Sequence, residues 1–330
     1  MILGMDIGYS NLKLVYGDPQ APGQKTACVL PSGAGPIERV NKTIMGDVPP
    51  DVLQVKVGEE LWAAGVAHHR LAHTVRQLHK DYPSSQAYQA LFHASLLQVG
   101  VPVIDRLVTG LPVSQYYDQK YRQALQKRLT GKHDVAPDTT VEVKEVIIMP
   151  QPVGGYLHFI STNKQASAAD DSVLAIVDPG FFSFDWTIFE HGDLLEHQGG
   201  TDLAAVSSIF EEAGKLLRSA HNIGDTVPMS RLEANMREGR DKMHIGRKRV
   251  STAKQISEAA NKVADDAFAA LKLSARRHDV NLNLMHLVGG GAALYEEAAH
   301  RHFPDCAISV DSEPVLANAY GFYTYGERKG

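Results

Sequence analysis

One pattern in this sequence constrains the fold more than any other, because it occurs twice. Leu3 to Lys13 reads as a short apolar strand, a turn at Asp6-Ile7-Gly8, and a returning strand from Asn11 to Tyr16. Leu174 to Asp185 repeats that order: an apolar strand from Ser172 to Val177, a turn at Asp178-Pro179-Gly180, and a partner from Phe182 to Phe189. Each copy is followed by helix-period segments. Strands alternating with helices indicate mixed α/β sheets rather than a sandwich of strands alone. A chain that duplicates one such unit tends to place a ligand between the copies. At 330 residues the length suits two domains at roughly 100–200 residues each.

Helical spacing is clearest from Ser84 to Gly100. Tyr88, Leu91, Phe92, Ser95, Leu96 and Val99 recur three and four residues apart, with Ser84 or Ser85 as N-cap and Gly100 as stop. The pattern predicts further helices over Gln115–Leu129, Gln151–Ile160, Met229–Arg237, Thr252–Arg277, Leu294–His302 and Val315–Tyr325, and one running from Gly199-Gly200-Thr201 through Leu217. Strands are expected over Val103–Thr109, Val141–Met149 and Leu284–Val288, with a hairpin over Leu53–Trp62 turning at Gly58-Glu59. The polar, alanine-rich stretch from Ser161 to Ser172 reads as a surface loop opening the second half.

Three glycine turns can carry chemistry. In Asp6-Ile7-Gly8-Tyr9-Ser10-Asn11-Leu12-Lys13, the glycine lets backbone N–H groups approach phosphate oxygens, and Ser10, Asn11 and Lys13 add donors and a positive charge. Asp6 can hold Mg²⁺ through waters. In Asp178-Pro179-Gly180-Phe181-Phe182-Ser183-Phe184-Asp185 the same logic returns: a carboxylate, a glycine, a hydroxyl, a second carboxylate. In Leu287-Val288-Gly289-Gly290-Gly291-Ala292 an apolar strand ends on bare backbone, against which a flat ring or a phosphate can lie. Each alone reads equally as a polar turn. A dinucleotide fold is excluded at the third, which lacks the G-x-G-x-x-G spacing.

Together and in this order, the three resemble the nucleotide-binding signature of the actin, DnaK-chaperone and sugar-kinase superfamily. Asp6, Gly8 and Lys13 match its first phosphate motif. Asp178, Gly180 and Asp185 match the second, and Gly289 to Gly291 match the adenosine motif. Met149 to Gly155 and Pro314 to Gly321 are similar to the two inter-domain connections. Within the superfamily the chain most resembles the ParM/StbA type, with its archaeal relatives, notably over Thr109 to Asp118 and Val146 to Gln151.

The resemblance implies an α/β actin-like two-domain fold: duplicated ribonuclease-H-like mixed sheets flanked by helices, with a nucleotide cleft between them. It implies domain I over residues 1–160 plus 315–330, and domain II over 161–314. It also implies an ATPase using ATP/ADP and Mg²⁺, polymerising head-to-tail with itself into filaments for plasmid or DNA segregation, with a DNA-bound adaptor as a further partner. Gly8, Tyr9, Ser10, Asn11, Lys13, Gly180, Phe181, Ser183, Asp185 and Gly289 to Ala292 are then nucleotide-binding, and Gly200, Thr201 and Asp202 resemble a loop approaching ribose and phosphates. Asp6, Asp178 and Gln151 are catalytic, with Gln151 orienting the attacking water and both aspartates reaching Mg²⁺ through water. The second loop departs from the family pattern, since Phe181 and Phe182 stand where small and hydroxyl residues are usual. The rival readings are a small-molecule kinase of the same superfamily and a non-catalytic nucleotide-binding scaffold.

Composition narrows the remainder. A net charge of −5 argues against a globally basic nucleic-acid binder, and no direct nucleic-acid motif occurs. The basic run from Arg237 to Arg249 leaves adenine-side contact, adaptor or DNA contact, and plain solvated surface open. His69 and His73 read as a surface pair. The two cysteines, Cys28 and Cys306, form no metal or redox pattern and suit a reducing compartment. With no stretch approaching the roughly 20 apolar residues of a membrane span and no signal-peptide pattern, a cytoplasmic protein without a membrane partner is expected.

Overall fold

The computed structural model describes residues 1–21, 23–72, 79, 81–162, 171–222, 224 and 227–329. The chain divides into two compact units. The first combines Met1–Asn163 with Val315–Gly330, and the second is Lys164–Pro314.

The first unit is built on strand β1 (Ile2–Ile7), buried along its whole length. Such a continuous apolar run belongs in the middle of a sheet covered on both faces. β2 (Asn11–Gly17) returns antiparallel to it, and β3 (Lys25–Pro31) follows at the edge. β7 (Val103–Leu111) lies parallel on the other side of β1, then β9 (Thr139–Pro150), then the short β8 (Gly131–Ala136), giving the order β3-β2-β1-β7-β9-β8. Side chains alternate across this sheet. Leu3, Met5 and Ile7 join one core with Leu91, Phe92 and Leu96, whereas Ile2 packs on the opposite face with Val15, Ala319 and Tyr323. The first core is closed by helix α1 (Gln86–Val99). The Ser85 hydroxyl accepts the Tyr88 N–H at 3.1 Å, and Gly100 ends the helix in a left-handed conformation. The second face is covered by α4 (Gln151–Thr162) and by the last helix of the chain, α9 (Ala317–Arg328). These two helices cross at a pair of glycines. A methyl on Gly154 would stand 2.6 Å from the Asn318 carbonyl oxygen, and one on Gly321 only 2.9 Å from the Gly154 Cα.

The predicted helix over Gln115–Leu129 forms as two pieces, α2 (Val113–Tyr116) and α3 (Gln119–Leu129). The break has a local cause: the Asp118 carboxylate accepts the N–H groups of Lys120 and Tyr121, restarting the helix as an N-cap. A small sheet in the order β4-β6-β5 is also part of this unit: β4 (Gly33–Pro36), β5 (Leu53–Val57) and β6 (Glu60–Val66), the last two joined by the expected turn at Gly58. Buried His93 on α1 fastens this sheet. Its Nδ1 lies 2.6 Å from the Lys56 carbonyl oxygen, and its ring centroid is 5.9 Å from that of His133 on β8. His69 falls in a 3-10 turn, and its supposed partner His73 lies outside the described residues.

The second unit repeats the plan. β10 (Val173–Pro179) is again a buried central strand, with β11 (Phe184–Glu190) antiparallel on one side and β16 (Leu284–Leu287) parallel on the other. β12 (Asp193–Leu194) and β17 (Ala307–Val310) complete the order β12-β11-β10-β16-β17. Helices α5 (Val206–His221), α6 (Met229–Arg237), α7 (Ala253–Arg277) and α8 (Ala292–His302) surround the sheet, and Phe184, Phe268 and Tyr295 form an aromatic core between them. The sequence placed a helix start at Gly199-Gly200-Thr201. Instead Gly200–Asp202 pairs as strand β13 with β11, and the helix begins only at Val206. The cause is side-chain bonding: the Thr201 hydroxyl donates to Asp185, and the Asp202 carboxylate accepts the Ala204 N–H at 2.7 Å, holding the chain out of helix until Ala205. The basic run also acquires structure, as the hairpin β14 (Lys242–Ile245) and β15 (Lys248–Ser251). In the expected loop over Ser161 to Ser172, residues 161–162 finish α4 and 163–170 lie outside the described residues.

Candidate functional site

The two duplicated hairpins place matching residues at matching register. In the first unit Asp6 stands directly opposite Lys13, and in the second Asp178 stands opposite Asp185. Residues facing each other across an antiparallel pair share one face of the sheet. Each hairpin therefore presents two functional side chains together, next to its own turn.

Around Asp6 the structure gathers residues from distant parts of the chain. The Lys13 ammonium donates to Asp6 Oδ2 at 2.8 Å, and the Gln151 amide donates to Asp6 Oδ1 at 3.1 Å. Asp6 is 2% exposed. A carboxylate so deeply buried is tolerable because both its oxygens are met by donors, one of them charged. Gln151 is the first residue after β9 and Asp6 lies near the end of β1, with β7 between them. The amide reaches across because residue 110 of β7 has no side chain: a methyl there would stand 2.8 Å from Gln151 Cγ. Gly110 is a residue sequence reasoning missed. A glycine inside a strand is a mark of close approach, but by itself it does not say what approaches.

The turn between β1 and β2 is tight. Gly8 N–H donates to the Asn11 carbonyl at 2.9 Å, and Ser32 N–H donates to the Ser10 carbonyl at 3.0 Å. Tyr9 points away from this polar cluster. Its ring stacks on Tyr82 with centroids 4.5 Å apart, and its hydroxyl donates to the His79 carbonyl at 2.6 Å. The Tyr9 side chain thus anchors the turn.

In the second unit the pairing extends across three strands, because Thr201 on β13 lies opposite Asp185. Asp178, Asp185 and Thr201 form a row on one face. Asp185, 1% exposed, accepts the Ser183 hydroxyl at 2.6 Å and the Thr201 hydroxyl at 2.5 Å. The turn is fixed by Gly180 N–H donating to the Ser183 carbonyl at 2.8 Å. Phe181 is buried and its ring packs toward Phe210 on α5, with centroids 6.2 Å apart. That bulk, which the sequence set against phosphate contact, is committed to the core. The backbone carbonyls of Gly180 and Phe181 accept the N–H groups of Val206 and Ser207 at the start of α5.

The third turn abuts the same row. Gly291 N–H donates to the Pro179 carbonyl at 2.9 Å, and Gly289 N–H to the Pro314 carbonyl at 2.7 Å. Gly289 has φ +81°, and a methyl on it would collide with the Asp178 carboxylate. Only glycine satisfies both conditions. Gly290 is exposed with open space above it, while Ala292 is buried at the start of α8. Gly200 packs under the Trp186 ring, where a methyl would stand 2.7 Å from Cη2.

Each unit thus brings its predicted residues together: Asp6, Lys13 and Gln151 in the first, and Asp178, Ser183, Asp185, Thr201 and Gly289 in the second. The first cluster is a charge-balanced pair with a neutral amide; the second is a pair of carboxylates with hydroxyls. Hard carboxylate oxygens of this kind suit a magnesium ion that keeps most of its waters.

Residues 4–154 match the family of actin like proteins, N terminal domain. A sequence search of curated proteins returns no significant match. Among solved structures the chain is similar to Ta0583, an archaeal actin homolog, at 17% identity over 99% of both chains with a TM-score of 0.75. It is similar to the ADP complex of Ta0583, at 15% identity over 99% of both chains and a TM-score of 0.74. A 15-stranded ParM filament from Clostridium botulinum is similar at 15% identity, again over 99% of both chains, with a TM-score of 0.73. At such identities the likeness establishes the fold, and it does so from one end of the chain to the other. Among the described residues no helix is long and apolar enough to cross a membrane.

Proposed function

We propose that this chain, which has an actin-like fold over its whole length and matches the family of actin like proteins over residues 4–154, binds ATP and hydrolyses it to ADP and phosphate. The observation that carries this reading is the convergence of the hairpin pair Asp6 and Lys13 with Gln151, which lies 145 residues from Asp6 in the sequence. Phosphoryl transfer needs mainly positioning and charge neutralisation, and these residues supply both. Lys13 exchanges its bond to Asp6 for a phosphate oxygen, and the Gly8–Asn11 turn offers backbone N–H groups. Gln151 orients water; an amide is too weak a base to do more. Asp6 and Asp178 would hold a magnesium ion through its waters, and the ion when bound neutralises phosphate charge. Asp185, which accepts the Ser183 and Thr201 hydroxyls, keeps the second turn in shape. Gly289 to Ala292 face the adenosine.

We further propose that the protein polymerises head-to-tail. The ParM structure it resembles is a filament, and head-to-tail contacts that do not close generate open polymers. Nucleotide state then biases the contact surfaces. Segregation of plasmid or other DNA in the cytoplasm, with an adaptor on the DNA, is the cellular role this implies.

The test is phosphate release and right-angle light scattering, followed together after adding Mg-ATP. Both signals should rise. ATP binding without either would replace this reading with a scaffold, and phosphate transfer that required a small-molecule acceptor would replace it with a kinase.

A further inference from the structure

The run of cations from Arg237 to Arg249 is sorted by the fold into two classes. Arg237 pairs with Glu233 at 2.7 Å, and Arg240 with Glu238 at 2.6 Å. Nearby Arg231 donates to the His244 carbonyl at 2.7 Å. These three hold the framework. Lys242, Arg247 and Arg249 are exposed and carry no ion pair among the described residues. Between Lys242 and Ser251 there is no acidic residue.

The β14–β15 register explains how they are displayed. Met243 stands opposite Val250 and both are buried, so one face of the ribbon is glued to the unit. Lys242 stands opposite Ser251, and His244 opposite Arg249, so the other face is polar, basic and exposed. Arg247 sits at the tip beside the Gly246 turn. Lys248 fastens the ribbon to α5 by donating to the His221 carbonyl at 3.0 Å. That carbonyl lies at the end of α5, beside a hollow of about 430 Å³ lined by Lys215, Arg218, Ser219 and Asn222. Arg218 is likewise exposed without an ion pair among the described residues. Ribbon and helix end together make one basic surface on a protein whose net charge is −5.

We propose that this surface, Lys242, Arg247 and Arg249 on the ribbon with Arg218 on α5, docks directly on the phosphate backbone of duplex DNA. The inference is independent of the nucleotide reading. Shape and charge favour a duplex over an acidic polypeptide. A two-stranded ribbon is one of the shapes a major groove about 12 Å wide admits. The exposed face of the ribbon also lacks the aromatic anchors of protein interfaces. The four cations are assigned to phosphates, a contact that is independent of sequence.

The experiment is fluorescence anisotropy of a labelled mixed-sequence duplex of about 30 base pairs, one of the scale that a backbone-tracking protein covers. The full chain is titrated at pH 7.5 over a series of KCl concentrations. Four phosphate contacts predict a log–log salt slope of about −3.6, a fall of roughly 150-fold in affinity between about 50 and 200 mM salt. In the Arg247→Ala/Arg249→Ala variant the slope should halve to about −1.8, and the fall over the same range should shrink to roughly 12-fold. Both substitutions are at exposed positions, and an unchanged unfolding midpoint shows the fold intact. Should the pair disturb the ribbon, Arg218→Ala on α5 reduces the slope by about 0.9 on its own. No binding at the lowest salt, or equal slopes in wild type and variants, overturns the proposal. So does labelled polyglutamate binding more tightly than the duplex, which would make the surface a site for acidic protein.

Discussion

Acid should unfasten the first unit through His93. Burial away from water is the main force on this imidazole and pushes its pKa down from 6.5 to about 4; neighbouring His133 and Arg128 act in the same direction, while the bond to the Lys56 carbonyl opposes them. The sign follows from linkage. The unfolded chain binds the proton more readily, so the stability owed to neutral His93 is complete above about pH 6.5 and drains away as pH falls toward 4. Taking 6.5 unfolded and about 4 folded, the loss between pH 7.5 and 5 is about 2 kcal/mol. Half-buried His133, whose pKa is also pushed down by desolvation, adds to it. The chain carries 15 histidines, so the assay must be differential. Urea unfolding is measured at both pH values for wild type and for His93→Asn, which keeps an amide N–H near the Nδ1 position facing Lys56. The variant should be less stable at pH 7.5 yet lose about 2 kcal/mol less than wild type on acidification. Equal losses in the two proteins would refute the reasoning, because the acid sensitivity would then reside elsewhere.

Three further outcomes follow from the site and the helix crossing. Asp178→Ala should reduce phosphate release at least ~100-fold, as loss of a charge-organising group does; unchanged hydrolysis would remove Asp178 from the chemistry. Gln151→Ala should lower kcat roughly 10- to 100-fold while leaving KM within about twofold, the signature of an interaction made in the transition state; a change in KM alone would make Gln151 a binding residue. Gly321→Ala drives a methyl into the Gly154 carbonyl oxygen and should cost at least about 1–3 kcal/mol, read as a lowered thermal midpoint. An unshifted midpoint would mean the α4–α9 crossing yields freely.

The central hairpins were legible because two independent signals coincided, an apolar run and an aspartate-glycine turn at its end. Helix α1 was legible because its buried residues follow helical spacing from the Ser85 cap to Gly100. β3 was not, since it runs along the sheet edge with most side chains exposed, leaving no alternation to see. The four-residue strands β14, β15 and β17 are too short for any period to show. Thr201 illustrates a different limit. As a hydroxyl residue after two glycines it has the chemistry of a helix cap, but its actual partner is Asp185, sixteen residues earlier. Only pairing in three dimensions puts them in reach. The opposition of Asp6 and Lys13 could be counted along a hairpin, whereas Gln151 was assigned by resemblance and its passage over Gly110 had no sequence signature.

The glycine crossing of α4 and α9 carries a consequence for how the protein is made. The first unit is not finished when residue 163 leaves the ribosome, because its last helix is encoded after residue 315. Until then β1 lacks the cover that Ala319 and Tyr323 give to Ile2, and Gly154 lacks its partner. At about 5–20 residues per second, the half-built sheet waits about 8–30 s while the second unit is translated. The second unit, contiguous in sequence, can close first. The nascent chain is thus most exposed at β1, and a chaperone that shields β1 until Ala319 and Tyr323 have been added should raise the yield of folded protein more than one acting afterwards.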